Sequence, residues 1–287
     1  MKSLIIGLGI GKLYQKVLHE LGHEVITVDF NEPADYKFWQ DAVKEHREFY
    51  SVHVCTPNFT HKPIAQNCAS QTKFLFVEKP GLSTEQEWKN LVAFNPKTRI
   101  MMVKNNMWRE NIDELRKLYA QAQTIKFNWM NQNRVPKPGS WFTNKKFAFG
   151  GVSRDLMPHL LSMFVALDPK YYDASWLYKH SWQKWQLEDL LDSDYGMVDK
   201  NGVYDVDDHS ELECTIRDKR CFFNASWRTL KDNDVGLWFD NTFVELGLCP
   251  ESAYKTMLQE CFSQVDNNEF WNFQLEVDSW IHRKIVS

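Results

Sequence analysis

Residues 3–30, SLIIGLGIGKLYQKVLHELGHEVITVDF, constrain the fold more than any other stretch of the chain. A short apolar run from Ser3 to Ile6 leads straight into a glycine-rich turn. Apolar residues at helical spacing follow, and a second apolar run from Val25 to Val28 ends in Asp29. This order of strand, glycine turn, helix, strand and acid predicts a βαβ unit.

The glycine turn of this unit has the composition of a pyrophosphate site. A first glycine permits a tight turn, a second lets the backbone approach phosphates, and a helix N-terminus offers free N–H groups. We therefore predict cofactor contacts from Gly7, Gly9, Ile10 and Gly11. The pattern G-x-G-x-x-G would need glycine where Lys12 stands, so the turn is one residue short.

Asp29 suggests which dinucleotide binds. It follows Gly7 by 22 positions (29 − 7), where an acid takes the adenine ribose hydroxyls. A carboxylate there repels a 2′-phosphate, and no arginine follows in the segment DFNEP. The prediction is NAD, with NADP as the second option.

Strands and helices keep alternating through the first third of the chain. We predict a helix over residues 34–45, a strand over 52–55 and another over 74–78. Such alternation is typical of a doubly wound parallel sheet, which gathers ligands at the carboxyl ends of its strands. The segments CTPN and EKP both follow predicted strands.

Bulk composition excludes several classes of protein. The net charge is −4, which gives no footprint for nucleic acid or an anionic membrane surface, and no apolar run approaches a membrane helix. Six cysteines show no C-x-x-C spacing, and the histidines show no metal-ligand spacing. We expect a cytoplasmic protein with core thiols and no metal site.

The motifs GLGIGK, Asp29, CTPNFTH, VEKP and GGVSRDLMPHLLSMF stand in an order that resembles the glucose–fructose oxidoreductase, inositol dehydrogenase and rhizopine catabolism (Gfo/Idh/MocA) family. The resemblance covers about the first 165 residues. It implies an α/β protein: an N-terminal Rossmann doubly wound parallel sheet, here residues 1–107, and a C-terminal α+β domain with a large, mainly antiparallel sheet, residues 108–287. It also implies hydride transfer between NAD(P) and a hydroxyl or carbonyl carbon of a sugar, cyclitol or sugar nucleotide.

The resemblance also assigns roles to single residues. The lysine of E-K-P touches the reacting oxygen and the nicotinamide ribose in the family, and the peptide before the proline is often cis. In this chain the catalytic residues would be Lys79, Asp155, which binds or orients substrate, and His159, which exchanges the proton. Further cofactor contacts would come from Thr56, Pro57, Asn58, His61, Glu78, Lys79 and Asn106, with Arg109 as a looser match.

The chemistry of these side chains agrees with those roles. Oxidising an alcohol needs a base for the hydroxyl proton, and histidine is the usual choice near neutral pH. A cation beside the oxygen stabilises alkoxide character. Asp155 and His159 are four residues apart, so we expect them to share one face of a helix, with Pro158 near its start.

The second half shows strand-like alternation and two predicted hairpins, turning near residues 217–220 and at Asp240-Asn241. We expect one face of this sheet to be rich in Trp and Phe. That face would be the interface through which the protein forms a homodimer or homotetramer. Asp207, Asp208 and His209 are expected in a solvated loop rather than at a metal.

Two other functions remain open. The first is a biliverdin-reductase-like enzyme of the same fold, which would reduce a tetrapyrrole. The second is a non-catalytic dinucleotide-binding sensor or structural protein, in which the shortened glycine turn has lost tight NAD binding.

Overall fold

The computed structural model describes residues 1–247 and 250–285 of the chain. They divide into two compact units. The first comprises residues 1–105 and 251–284, and the second comprises residues 106–247, Pro250 and Ile285. The last two helices thus return to the first unit, which the predicted division at residue 107 does not include.

The described strands are numbered in chain order: β1 (Lys2–Ile6), β2 (Glu24–Val28), β3 (Phe49–Val54), β4 (Thr72–Val77), β5 (Arg99–Met102), β6 (Thr124–Met130), β7 (Ser175–Trp182), β8 (His209–Ile216), β9 (Lys219–Ser226), β10 (Asp234–Phe239) and β11 (Thr242–Glu245). The described α-helices are α1 (Gly11–Glu20), α2 (Trp39–His46), α3 (Asn58–Cys68), α4 (Glu85–Phe94), α5 (Ile112–Gln121), α6 (Lys145–Ala148), α7 (Val152–Asp155), α8 (Met157–Leu167), α9 (Glu251–Ser263) and α10 (Asn268–Ile285).

The first unit is built on a parallel sheet of five strands in the order β2-β1-β3-β4-β5. Its strands are mostly apolar, with few polar residues such as Ser51 and His53 of β3, because both faces of such a sheet are covered by helices. Phe74, Leu75, Phe76 and Val77 of β4 are all buried, for example. The predicted doubly wound parallel sheet is confirmed.

One detail of the first unit differs from the predictions. Helix α2 begins at Trp39 rather than at residue 34, because the Asp35 carboxylate accepts hydrogen bonds from the backbone and hydroxyl of Thr27 and holds this segment beside β2. Helix α4 is capped by Thr84, whose hydroxyl accepts from the Glu87 N–H at 3.2 Å.

The second unit is built on a six-stranded sheet in the order β11-β10-β6-β9-β8-β7. All of its strand pairs are antiparallel except β6 with β9. Both predicted hairpins form, and the mainly antiparallel sheet is confirmed.

The two faces of the second sheet differ in composition. On the buried face the rings of Phe127 and Phe223 stack at 4.7 Å, and Phe164 of α8 packs edge-on against both. On the other face Asn224 donates to Asn128 at 2.8 Å, and aromatic residues are interspersed with charged ones. That face is therefore more polar than the predicted Trp- and Phe-rich surface.

Among the described residues, no helix combines the length and apolar content needed to cross a membrane.

Candidate active site

The glycine turn in the first unit has a separate use for each glycine. Gly7 has φ +96°, and a Cβ there would lie 2.6 Å from the carbonyl oxygen of Cys55, so only glycine fits. Gly9 is exposed with open space around its missing Cβ, which leaves room for a ligand.

Gly11 explains the short turn. It is the first residue of α1, and a Cβ there would lie 2.8 Å from a methyl group of Ile5, so glycine lets the helix pack closely on β1. This is the use that the third glycine has in the full-length pattern. No side chain caps α1 after Ile10, so the first N–H groups of the helix are available to an anion.

Asp29, at the end of β2, is held by three backbone N–H groups. Its Oδ2 accepts from Leu8 at 2.6 Å, and its Oδ1 accepts from Asn31 at 2.8 Å and Glu32 at 2.9 Å. Burial acts to raise the pKa of Asp29, but these hydrogen bonds and nearby Lys12 outweigh it and lower the pKa. Oδ2 accepts one bond and keeps capacity for another, which suits a ribose hydroxyl.

His61 joins the loops that follow β3 and β4. The imidazole is 1% exposed, with Nδ1 2.8 Å from the Gly81 carbonyl and Nε2 2.8 Å from the Thr56 carbonyl. Pro57 and Asn58 stand at the start of α3, a few residues before His61 in the sequence. His61 thus positions the two loops that carry the predicted cofactor residues.

The E-K-P segment follows directly after β4. Glu78 is buried, its Oε1 accepts from the Tyr14 hydroxyl at 2.7 Å, and its Oε2 accepts from the Lys79 N–H at 3.2 Å. Burial raises the pKa of Glu78, against the effects of Tyr14 and Lys79. The Lys79–Pro80 peptide is cis, and the Lys79 side chain is half-buried.

In the second unit, Asp207 shapes the loop that precedes the Asp155 segment. Its carboxylate accepts from the Gly151 N–H at 2.9 Å and the Ser153 N–H at 2.7 Å, which caps α7. A Cβ on Gly151 would lie 1.8 Å from the Asp207 carbonyl oxygen, so this position must be glycine. Nothing in the sequence pattern pointed to Asp207.

Asp155 is the last residue of the one-turn helix α7. Its Oδ2 accepts from the indole N–H of Trp227 at 2.8 Å, and Trp227 is 1% exposed. A buried tryptophan N–H normally has such a partner, so the contact fixes the carboxylate. Trp227 was not predicted as a site residue.

His159 lies in the first turn of the next helix, α8. Pro158 has no N–H and stands at the start of α8, so the chain makes two helical segments, and Asp155 and His159 do not lie on one helix as predicted. The imidazole stacks on Trp129 with ring centres 5.2 Å apart. Its Nδ1 lies 3.1 Å from the amide nitrogen of Asn106.

Asn106 and Arg109 form a buried polar pair behind His159. The Arg109 Nε donates to the Asn106 Oδ1 at 2.8 Å, and another guanidinium nitrogen donates to the Gly247 carbonyl at 2.8 Å. Their exposed fractions are 1% for Asn106 and 7% for Arg109. Both amide atoms of Asn106 therefore have contacts inside the protein, and the cofactor contact that the resemblance implies for Asn106 stays a prediction.

The segment with Asp208 and His209 is buried rather than a solvated loop. His209 begins β8, its Nδ1 lies 2.5 Å from Asp208, and the Asp208 carboxylate also accepts from the backbone of Lys184 and Trp185. The alternation of β8 continues through these residues, so they enter the sheet. Within residues 1–247 and 250–285, no cluster of three or more His, Cys, Asp or Glu residues could hold a metal ion.

Comparison with known proteins identifies the first unit. Residues 1–105 match the family model described as "Oxidoreductase family, NAD-binding Rossmann fold", Gfo/Idh/MocA. This N-terminal domain belongs to the Gfo/Idh/MocA oxidoreductase family. The predicted resemblance is confirmed, and with it the NAD-binding type of Rossmann fold.

A relative from Amycolatopsis mediterranei (strain S699) is 26% identical over 184 residues and is named for a role as UDP-kanosamine synthase oxidoreductase subunit. The match covers 58% of this chain and 51% of the relative, so the chain aligns with about half of that protein's length.

Three solved structures share the fold. GenD2 from gentamicin A biosynthesis, in complex with NAD, is 15% identical and has a TM-score of 0.75, covering 99% of this chain and 92% of that one. Levoglucosan dehydrogenase with NADH and levoglucosan is 15% identical with a TM-score of 0.72, covering 100% and 96%. The WlbA dehydrogenase from Thermus thermophilus with NAD and UDP-GlcNAcA is 13% identical with a TM-score of 0.70, covering 100% and 94%. At such identities the likeness shows the shared fold.

Proposed function

We propose that the protein is an NAD-dependent oxidoreductase that transfers a hydride between nicotinamide and a hydroxyl or carbonyl carbon of a sugar, cyclitol or sugar nucleotide. The observation that carries this proposal is the support of Asp155 and His159 by buried polar groups, Trp227 and Asn106, in a chain with an NAD-binding Rossmann domain. Buried donors aimed at a carboxylate and an imidazole are typical of a preorganised catalytic site.

The preference for NAD rests on Asp29. Its carboxylate stays ionised because three backbone N–H groups stabilise the charge, and a negative group at that point repels a 2′-phosphate. The same oxygens can accept ribose hydroxyls. We expect NADH to bind more tightly than NADPH.

The substrate class follows from the polar side chains and from the relatives. A carboxylate such as Asp155 suits a substrate hydroxyl, and the named relatives are a UDP-kanosamine synthase subunit, a levoglucosan dehydrogenase and a protein crystallised with UDP-GlcNAcA. A tetrapyrrole offers no comparable hydroxyl. The biliverdin-reductase-like function is therefore less favoured.

The non-catalytic function loses its main argument. It assumed that the short glycine turn had lost NAD binding, but Gly11 packs α1 on β1 as a third glycine would. The exposed Gly9 and the uncapped N-terminus of α1 keep the features that a pyrophosphate needs.

Within this function we assign roles by the family resemblance. Lys79 supplies the positive charge beside the reacting oxygen, and Asp155 orients the substrate. The cofactor contacts are the glycine turn, Asp29, the Thr56–Asn58 loop and the E-K-P segment.

We also propose that two copies of the protein associate through the polar face of the second sheet, which sedimentation would test. We propose further that the enzyme works in the cytoplasm.

Two measurements test the function. Fluorescence titration with NADH and NADPH should show energy transfer from tryptophan with both and tighter binding of NADH. A panel of inositols, sugars, UDP-sugars and biliverdin, incubated with NAD or NADH, should change the NADH absorbance for at least one sugar or cyclitol. Binding of NADH with turnover of biliverdin alone, or of nothing on a broad panel, would contradict the proposal.

A further inference from the structure

We propose that Arg154 binds an oxyanion of the substrate, so that the sugar or cyclitol on which this protein acts carries a carboxylate or a phosphate. The inference deepens the proposed function and rests on it for the statement that the ligand is the substrate. The binding site itself rests on contacts within the second unit, and ligand binding there can be measured without turnover.

The guanidinium of Arg154 is buried without a hydrogen-bond partner. The residue is 6% exposed, and among the described residues no acceptor lies within hydrogen-bond reach of its Nε or its Nη1. A guanidinium carries five N–H donors and a permanent charge, so burying it unsatisfied costs free energy. Most buried polar groups in proteins have partners, and an exception points to a missing ion or to a functional role.

The buried cations Arg109 and Lys219 of the same unit are satisfied by the protein. Arg109 donates to the Gly247 carbonyl at 2.8 Å, and the ammonium group of Lys219 donates to the Ala122 carbonyl at 2.6 Å. Where a buried cation serves the fold, the chain thus supplies acceptors for it. The unsatisfied guanidinium of Arg154 therefore indicates a partner from outside the chain.

Asp207 is the acid that acts on Arg154, but no ion pair joins these two described residues. The carboxylate of Asp207 accepts from the backbone instead, at Oδ1 from Gly151 at 2.9 Å and at Oδ2 from Ser153 at 2.7 Å. Burial lowers the pKa of Arg154, against the raising effect of Asp207. Because an arginine stays protonated even so, the second unit holds a poorly solvated positive charge that favours an anion.

Gly150 makes room for the Arg154 side chain. This glycine has φ +152°, and a Cβ on it would lie 2.8 Å from the Cγ of Arg154. A larger residue at position 150 would therefore push the arginine side chain aside. The two glycines of the motif thus have different uses, since Gly151 admits the backbone of Asp207 and Gly150 sets the course of the Arg154 side chain.

The place of Arg154 in α7 connects it to the substrate. It directly precedes Asp155, whose carboxylate the proposed function assigns to a substrate hydroxyl. Neighbouring Cα atoms are about 3.8 Å apart, so one sugar-sized molecule can reach both side chains. A guanidinium binds a carboxylate or a phosphate through two parallel hydrogen bonds, which a neutral hydroxyl cannot match. The two residues together fit a substrate that carries both a hydroxyl and an oxyanion.

The first experiment asks whether the folded protein itself needs Arg154. Arg154→Met keeps most of the side-chain volume and removes an unsatisfied buried charge, so its midpoint of urea unfolding should equal or exceed that of the wild type. Arg220→Met is the matched control, because it removes the same charge at an exposed position of the same unit, where Arg220 pairs with Glu213 at 2.6 Å. Its midpoint should stay close to that of the wild type. A clearly lower midpoint for Arg154→Met, or its failure to fold, would overturn the proposal, because the arginine would then serve the structure.

The second experiment measures ligand binding by titration calorimetry at saturating NAD, which keeps the glycine turn occupied. The probes are glucuronate, glucose 1-phosphate and UDP-glucose, with glucose as the uncharged control. We expect at least one anionic probe to bind the wild type about tenfold or more tightly than glucose does. Arg154→Met should lose about tenfold to a hundredfold of that affinity, and Arg220→Met should bind like the wild type. The three anionic probes distinguish a carboxylate, a terminal phosphate and a diphosphate.

Several outcomes would contradict the inference. Anionic probes might bind the wild type no better than glucose, or bind Arg154→Met as tightly as the wild type. Weaker binding of NADH by Arg154→Met would assign the charge to the cofactor instead. Turnover of a neutral sugar that is unchanged in Arg154→Met would keep the proposed function and overturn the inference. Anion binding through Arg154 without turnover of any anionic probe would support the oxyanion site and count against the proposed function.

Discussion

At the scale of single residues, the structure explains why certain positions hold certain side chains. Gly7 and Gly151 are glycines because a Cβ would collide with the backbone of Cys55 and Asp207. The need for glycine at these positions could be predicted from the sequence, because each glycine belongs to a short motif of neighbouring residues. Their partners lie far along the chain, so Asp207 and Trp227 had no local signal.

Asp29→Ala should weaken NADH binding about tenfold, or about 1.4 kcal/mol. The change removes both the acceptor for a ribose hydroxyl and the bonds that hold Leu8, Asn31 and Glu32. Fluorescence titration measures the loss, and the advantage of NADH over NADPH should shrink as well. Asp41→Ala, on the exposed side of α2, should bind like the wild type; equal affinity of the two variants would refute this use of Asp29.

Trp227→Phe should lower kcat/KM about tenfold or more and leave the NADH dissociation constant unchanged. The variant keeps most of the ring but loses the N–H that holds Asp155 at 2.8 Å. Steady-state kinetics on the substrate found by the panel would measure this. Trp238→Phe is the matched control, since that indole also donates to an aspartate, Asp234, at 3.1 Å. Equal losses in both variants would mean that the effect is general.

At the scale of elements, strands and hairpins were predictable because their apolar patterns are strong. The helix carrying Asp155 and His159 was not, because Pro158 ends one segment and starts another. The start of α2 was misplaced because a contact between Asp35 and Thr27 outweighed the helical pattern. In each case a single side chain, Pro158 or Asp35, overrides the helical periodicity of the local sequence.

Strand β3 carries a buried histidine that makes a pH prediction. Burial, with a smaller effect of His23, lowers the pKa of His53 to about 3. The unfolded chain binds a proton below about pH 6.5 and the folded chain does not, so stability is lost as the pH falls from about 6.5 towards 3. At pH 5 this costs about 2 kcal/mol relative to pH 7.

His53→Phe should reduce that loss. Phenylalanine keeps the stacking on Phe76, where the ring centres are 5.0 Å apart, but it does not titrate. Urea unfolding at pH 7 and pH 5 should show a smaller drop in the free energy of unfolding than in the wild type. His19→Gln, at an exposed position on α1, should behave like the wild type. The same drop in His53→Phe would rule out this histidine as the source.

At the scale of the whole molecule, the first unit is not continuous in sequence. Helices α9 and α10 belong with residues 1–105, and the buried pair of Lys104 and Asp278 ties α10 to the end of β5. Asp278 also accepts from the Met102 N–H at 3.0 Å. The family model ends at residue 105, so it does not cover the two C-terminal helices that complete the first unit.

Asp278→Asn should destabilise the protein by about 3–5 kcal/mol, because Lys104 would stay buried without its counter-charge. The double variant Lys104→Met/Asp278→Asn removes both charges and keeps an acceptor for Met102, so part of that loss should return. Urea unfolding of the three proteins measures this. A double variant less stable than Asp278→Asn would contradict the predicted coupling.

The central claim is hydride transfer that depends on the lysine of E-K-P. The most direct measurement compares turnover of Lys79→Met, the exposed control Lys97→Met and the wild type on the substrate found by the panel, at saturating NAD. We predict that Lys79→Met loses at least about 100-fold in kcat, because removing one group that stabilises the developing negative charge on oxygen costs about 10²–10³-fold, and that Lys97→Met keeps full activity. Full turnover by Lys79→Met would contradict the account.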